Sequence, residues 1–141
     1  MLAIGLESTH GTFFVTGNHE YYSGAPAWIA ELRRLGVTVL LNEHVVLRHP
    51  HGDLAIAGVT DLSAGHFDAA HRSDPHAAIA GAPASGTVRV LLADQPRSAP
   101  EAQKAGFHRV YTSCGTGYWG PPKRFGAPSE ITRLRLVPAA G

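Results

Sequence analysis

Apolar and polar positions alternate along this chain in short blocks, and most blocks end on a turn residue. Thr12-Phe-Phe-Val-Thr16 is β-branched and aromatic and stops at Gly17-Asn18, which predicts a buried strand running into a loop. Ser23-Gly-Ala-Pro26 opens a helix, with Pro26 tolerated in the first turn. Trp28, Leu32 and Leu35 then fall at i, i+4 and i+7 on one face, and Gly36 stands at the C′ position. Val37 to Leu41 reads as the next strand. His44 to Leu47 and Leu54 to Val59 flank Pro50-His-Gly-Asp53, the pattern of a hairpin or meander. Asp61 to Ser73 reads as loop.

Asp74-Pro75 supplies an N-cap followed by Pro at N1, predicting a short helix to Gly81. Val88 to Ala93 is a strand followed by the polar Asp94-Gln95-Pro96, and Ser98-Ala-Pro-Glu101 has the spacing of a capping box for a helix closing at Gly106. Arg109 to Ser113 reads as a strand and Cys114 to Pro128 as a Gly/Pro-rich loop. Ile131 to Val137 reads as a last strand, with Thr132, Leu134 and Leu136 on one face and Arg133 and Arg135 on the other. Strands alternating with short helices, plus one hairpin, predict a layered α/β sandwich.

Composition narrows the function classes. The chain has 141 residues, 44% hydrophobic and 16% charged, enough for one domain with a buried core. Lys+Arg 12 against Asp+Glu 11 excludes the footprint of a strongly basic nucleic-acid binder. One cysteine, Cys114, cannot form an internal disulfide. No apolar run approaches the roughly 18 residues of a membrane-spanning helix, and the first residues lack the basic flank of a signal peptide. The expectation is a cytoplasmic domain without a transmembrane segment.

Several chemical signals weaken on inspection. Gly115-Thr-Gly-Tyr-Trp-Gly120 has the letters of a dinucleotide loop, but the prolines behind it leave no room for the helix that mechanism needs. His66, His71 and His76 recur every five residues, which places successive rings about 140° apart on a helix. His44, His49 and His51 straddle a turn without a second spaced pair to complete a zinc set. Both groups read as surface histidines, Cys114 as a structural or incidental thiol, and Lys123-Arg124 as a solvated pair. Gly17-Asn18-His19-Glu20 differs, because it follows a strand directly, where open α/β sheets place functional loops. Asn18 offers a neutral oxygen ligand and His19 a proton or hydrogen bond; a plain turn is the equal alternative from these four residues alone.

The surrounding blocks break that tie. Phe-Phe-Val-Thr-Gly-Asn18-His19-Glu20-Tyr-Tyr-Ser-Gly resembles the asparagine–histidine motif of the calcineurin-like metallophosphoesterases. Leu-Gly-Val-Thr-Val-Leu-Leu-Asn42-Glu43, Ala-Gly-Val-Thr-Asp61, Gly-Thr-Gly-Tyr-Trp-Gly-Pro-Pro-Lys-Arg and Gly-Ala-Pro-Ser-Glu130-Ile-Thr are similar to its bacterial membrane-associated branch. The resemblance implies a four-layer α/β/β/α sandwich with two divalent ions (Mn, Mg, Fe or Zn) about 3.5–4 Å apart, acting on a phosphoester small molecule or lipid-like substrate. It makes Asn18 a metal ligand and His19 the acid that steadies the transition state or leaving group.

The departures from the family pattern are as informative. The Asp-x-His and Gly-Asp-x-x-Asp motifs should precede Thr12 and do not occur there. The His-Gln-Pro motif reads Asp94-Gln95-Pro96, which puts a carboxylate where an imidazole ligand belongs. Gly-His-x-His is missing, as if deleted near residues 104 to 109, and His108 is a poor substitute for it. The expectation is therefore a single incomplete domain over residues 1–141, truncated and internally deleted. Of the expected metal ligands only Asn18 remains, with Asp94 as a replacement for the missing imidazole, and His19 as the catalytic group, with weak metal binding and little or no activity. The rival is a non-catalytic phosphate- or anion-binding scaffold of the same fold. Self-association through exposed sheet edges is expected if strands are missing.

Overall fold

A computed structural model describes residues 8–112 and 131–137. Cys114, the Gly115–Gly120 pattern and the Lys123-Arg124 pair lie outside the described residues. The described chain is an α/β structure with two sheets. Strands β1 (Phe13–Phe14) and β2 (Thr38–Val39) pair in parallel, joined by helices α1 (Asn18–Tyr22) and α2 (Ala25–Arg34). The second sheet has the order β3 (Glu43–Leu47), β4 (Asp53–Gly58), β5 (Thr87–Leu92), β6 (Arg109–Tyr111). β3 and β4 are the antiparallel hairpin read from the sequence, in the register Val45↔Ile56, while β4, β5 and β6 run parallel. Helices α3 (Pro75–Ile79) and α4 (Ala99–Lys104) form the crossovers between them.

Two cores result. One face of the larger sheet presents Ala55, Ala57, Val59, Leu91 and Ala93 to Ala78, Ile79, Ala102 and Phe107. Ala55, Ala57, Ala78 and Ala102 are all fully buried. These small side chains let helix and sheet approach closely, where any methylene would be felt. The other core gathers Tyr21, Ala25, Ile29, Val39 and Ala64 around the two-stranded sheet. The two sheets meet at Gly58, the last residue of β4. A Cβ there would stand 2.5 Å from Val15 Cγ1 and 2.6 Å from Leu40 Cβ, so only glycine fits.

Asp74 caps α3 as its sequence predicts, accepting from the N–H groups of His76 (2.9 Å) and Ala77 (3.0 Å). Gly36 closes α2 with φ +81.

Four expectations need correction. Gly17-Asn18 does not end in loop, because Asn18 starts α1. α2 buries Ala25 and Ile29, with Leu32 packed against them, whereas Trp28 is 49% exposed. The inward stripe is shifted by one residue, because it starts at Ala25, which a search for large apolar residues passes over, and runs through Ile29. Ser98 makes no side-chain cap on α4, since it sits in the helical region (φ -71, ψ -16) at the end of the turn Pro96–Ser98, and Glu101 pairs with Lys104 at 2.7 Å. Residues 131–137 form no strand and are exposed throughout. Their alternation supplies a face, but no described strand takes them as a partner.

Candidate functional site

The polar groups of interest sit where strands of both sheets end. β1 delivers Gly17, Asn18, His19 and Glu20, β4 delivers Thr60 and Asp61, and β5 delivers Asp94 and Gln95. Glu20 accepts the Gly17 N–H at 2.6 Å, fixing the turn into α1. Gly17 is buried, and its missing side chain makes room for Asp94: a Cβ there would stand 2.9 Å from Asp94 Oδ1 and 3.2 Å from Oδ2. The Gly17 cap of α1 and the loop carrying Asp94 are therefore in direct contact.

Asp61, 2% exposed, ties a third loop to this pair. It accepts from Ser63 N (2.7 Å), the Ser63 hydroxyl and Gln95 Nε2 (2.6 Å). Burial pushes its carboxyl up, but these donors, with the Leu62 backbone, outweigh burial and hold it below the ordinary range. Asp94 behaves oppositely. Burial of the carboxyl against Gly17, then the charges of Asp61 and Glu20 and a hydrogen bond to Asp61, push it up; the His19 charge works against them. The residue as a whole remains exposed. Only its carboxyl end is desolvated, because that end is what rests on Gly17.

Asn42 holds the Asp61 loop in place. In the left-handed region at φ 57, its amide accepts from Asp74 N (3.0 Å) and Thr60 N (3.5 Å) and donates to the Arg72 carbonyl (2.8 Å). Below it, the buried Tyr21 hydroxyl lies 3.0 Å from His71 Nδ1, and burial raises its pKa.

The structure thus places Asn18 and His19 at the start of α1 and Asp94 on the loop that touches Gly17 just before it, with Asn18 half-buried and His19 exposed. The sequence reading gave no role to Glu20, Asp61 or Gln95. The signal for Asp61 was available: it ends an apolar run, as Asn18 and Asp94 do. Of the other histidines, His44 reaches the Ala78 carbonyl at 2.8 Å. His49 and His51 lie 5.3 Å apart beside a cavity of about 480 Å³ at the opposite end of the strands, which no site residue lines. His108 Nδ1 accepts the Arg89 N–H at 3.0 Å, so it is engaged in β5–β6 pairing.

Three carboxyl groups around one amide and one imidazole attract a cation and repel a phosphate. Among the described residues, however, no group of three or more His, Cys, Asp or Glu is arranged to hold a metal ion. Asn18 and Asp94 supply two oxygen donors, which fits a hydrated hard cation and does not fit a two-ion centre.

An α/β fold with polar side chains converging at its strand ends is a common architecture of hydrolases and binding proteins. Comparison with known proteins narrows this. The chain is 35% identical, over 94% of its length, to a protein of Helicobacter pylori named as an uncharacterized metallophosphoesterase. It is 34% identical, over 95%, to a bovine transmembrane protein with a metallophosphoesterase domain, and 29% identical, over 92%, to a Campylobacter jejuni metallophosphoesterase. The chain belongs to the calcineurin-like metallophosphoesterase family. It spans 44%, 40% and 43% of the length of those three relatives. The first two alignments run over 173 and 182 positions, more than the 141 residues present here, so residues of each relative fall opposite gaps in this chain. No protein-family model matches the chain, and no solved structure matches it. Divalent metal use goes with the family, and no helix among the described residues is long and apolar enough to cross a membrane.

Proposed function

We propose that this chain is a phosphoester-binding portion of a metallophosphoesterase sandwich, an incomplete α/β/β/α domain whose turnover on its own is low or nil. The observation that carries it is the contact of Asp94 with Gly17, the residue that leads into Asn18 at the start of α1. That contact joins the two motifs the family resemblance marks. Asn18 and Asp94 would hold a divalent ion, which supplies the positive charge a phosphate needs beside Asp61 and Glu20. His19, exposed at the start of α1, would give a proton to an ester oxygen. The aligned relatives carry positions this chain lacks, which supports an internal deletion; its placement near residues 104 to 109 follows from the missing Gly-His-x-His. There the chain passes from α4 through Gly106 at φ +85 straight into β6, with Phe107 locked in the core.

The test is hydrolysis of an aryl phosphodiester with added Mn²⁺, comparing the chain with His19→Ala. The expected result is turnover near background in both. Robust turnover abolished by His19→Ala would overturn the impaired-site reading. A cation-independent anion scaffold is the rival, and the three carboxyls at the site count against it.

A further inference from the structure

The helix that carries Asn18 and His19 also carries a large apolar side chain that neither core uses. Tyr22 is 68% exposed. It stands four residues after Asn18 and three after His19, so it shares their side of α1, about one turn (5.4 Å) along. Phe67, from the loop that follows Asp61, comes to meet it with ring centroids 5.4 Å apart at 85°, edge to face. Phe67 is itself 49% exposed. The pair rests on a fixed base, because Phe67 also contacts the buried Tyr21 at 5.8 Å, and Tyr21 is anchored to His71. Both strand-end segments that bring polar groups to the site therefore also bring an aromatic ring to one exposed shelf beside it.

We propose that Tyr22 and Phe67 form the specificity subsite of the phosphoester site and receive a flat apolar substituent on the ester. This rests on the phosphoester reading above. Aromatic rings that remain about half exposed or more add little to either core. Next to a charged reaction centre, they supply the apolar wall that separates a large ester group from a small one.

The experiment is a titration of the chain in saturating Mg²⁺ with methyl phosphate and with 1-naphthyl phosphate, followed by ligand-observed NMR. The subsite predicts that the naphthyl ester binds about tenfold more tightly, the return on covering one ring face. Tyr22→Ala and Phe67→Ala should each bring that advantage to within about twofold and leave methyl phosphate unchanged, while Tyr22→Phe keeps it. Because both rings are exposed, folding should survive, as circular dichroism would verify. Equal affinity for the two esters, or an advantage retained in both alanine variants, would overturn the subsite alone. So would alanine variants that change only sedimentation, since the shelf would then be a self-contact. If neither ester binds, the phosphoester reading falls and the subsite with it.

Discussion

Gly58→Ala tests whether the two sheets meet as described. Carbon atoms in favourable contact sit about 3.5–4.0 Å apart. A methyl group on Gly58 would lie 2.5 Å from Val15 Cγ1, 2.6 Å from Leu40 Cβ and 3.3 Å from Leu40 Cδ1. It is thus about 1 Å too close to two neighbours at once. Leu40 is 1% exposed, and its Cβ is fixed to the backbone, so no rotamer change relieves that contact. The β1–β2 unit must draw back from β4. Overpacking of this kind costs about 1–3 kcal/mol, and the upper half of that range applies because backbone has to move. For a domain near this size, that is a fall in Tm of roughly 7–10 °C. Urea unfolding followed by circular dichroism reads the same change as a lower midpoint. Adding Val15→Ala should recover part of the loss, since it removes one of the two clashing groups. An unchanged midpoint for Gly58→Ala would refute the approach of the two sheets. The spacing that carries Gly17 toward Asp94 would then lose its basis.

Three further predictions concern stability. Ile29→Ala should cost about 2–4 kcal/mol and Trp28→Ala under about 1, measured by urea unfolding, because α2 turns Ile29 and not Trp28 inward. Asp74→Ala should cost about 1 kcal/mol in the same assay, since it leaves the His76 and Ala77 N–H groups of α3 without their acceptor. Asp94→Asn should stabilise the metal-free protein at neutral pH. A carboxyl whose pKa is raised on folding opposes the fold once pH rises through its unfolded and then its folded value, and has no such effect below both. The gain should therefore be present at pH 7 and vanish near pH 3; equal midpoints at pH 7 would contradict the crowding of Asp94 by Asp61 and Glu20.

Much of the fold was legible in the sequence because its signals are local. The β3–β4 hairpin, the Asp74-Pro75 helix start and the Gly36 stop each depend on a few adjacent residues, and each formed as read. Trp28 misled because hydrophobicity alone does not say which stripe of a short helix faces inward, and here the stripe runs through Ala25 and Ile29. Ile131 to Val137 misled because alternation specifies a strand's faces and not its partner. At the site, Asn18, His19 and Asp94 were visible as strand-end residues within recognisable motifs. Asp61 ends an apolar run in the same way, but its role was not legible, because it depends on Gln95, 34 residues away, and on a loop held by Asn42. Such long-range hydrogen bonds leave no periodic trace in the chain.

The proposed phosphoester site depends on a divalent cation held by Asn18 and Asp94. Equilibrium binding of phenyl phosphate in the presence of Mn²⁺, then in excess chelator, tests it most directly. The account predicts binding that disappears in chelator and falls at least tenfold in Asn18→Ala, because the three carboxyls then face the phosphate unneutralised. Binding that persists in chelator, or is indifferent to Asn18→Ala, would contradict it.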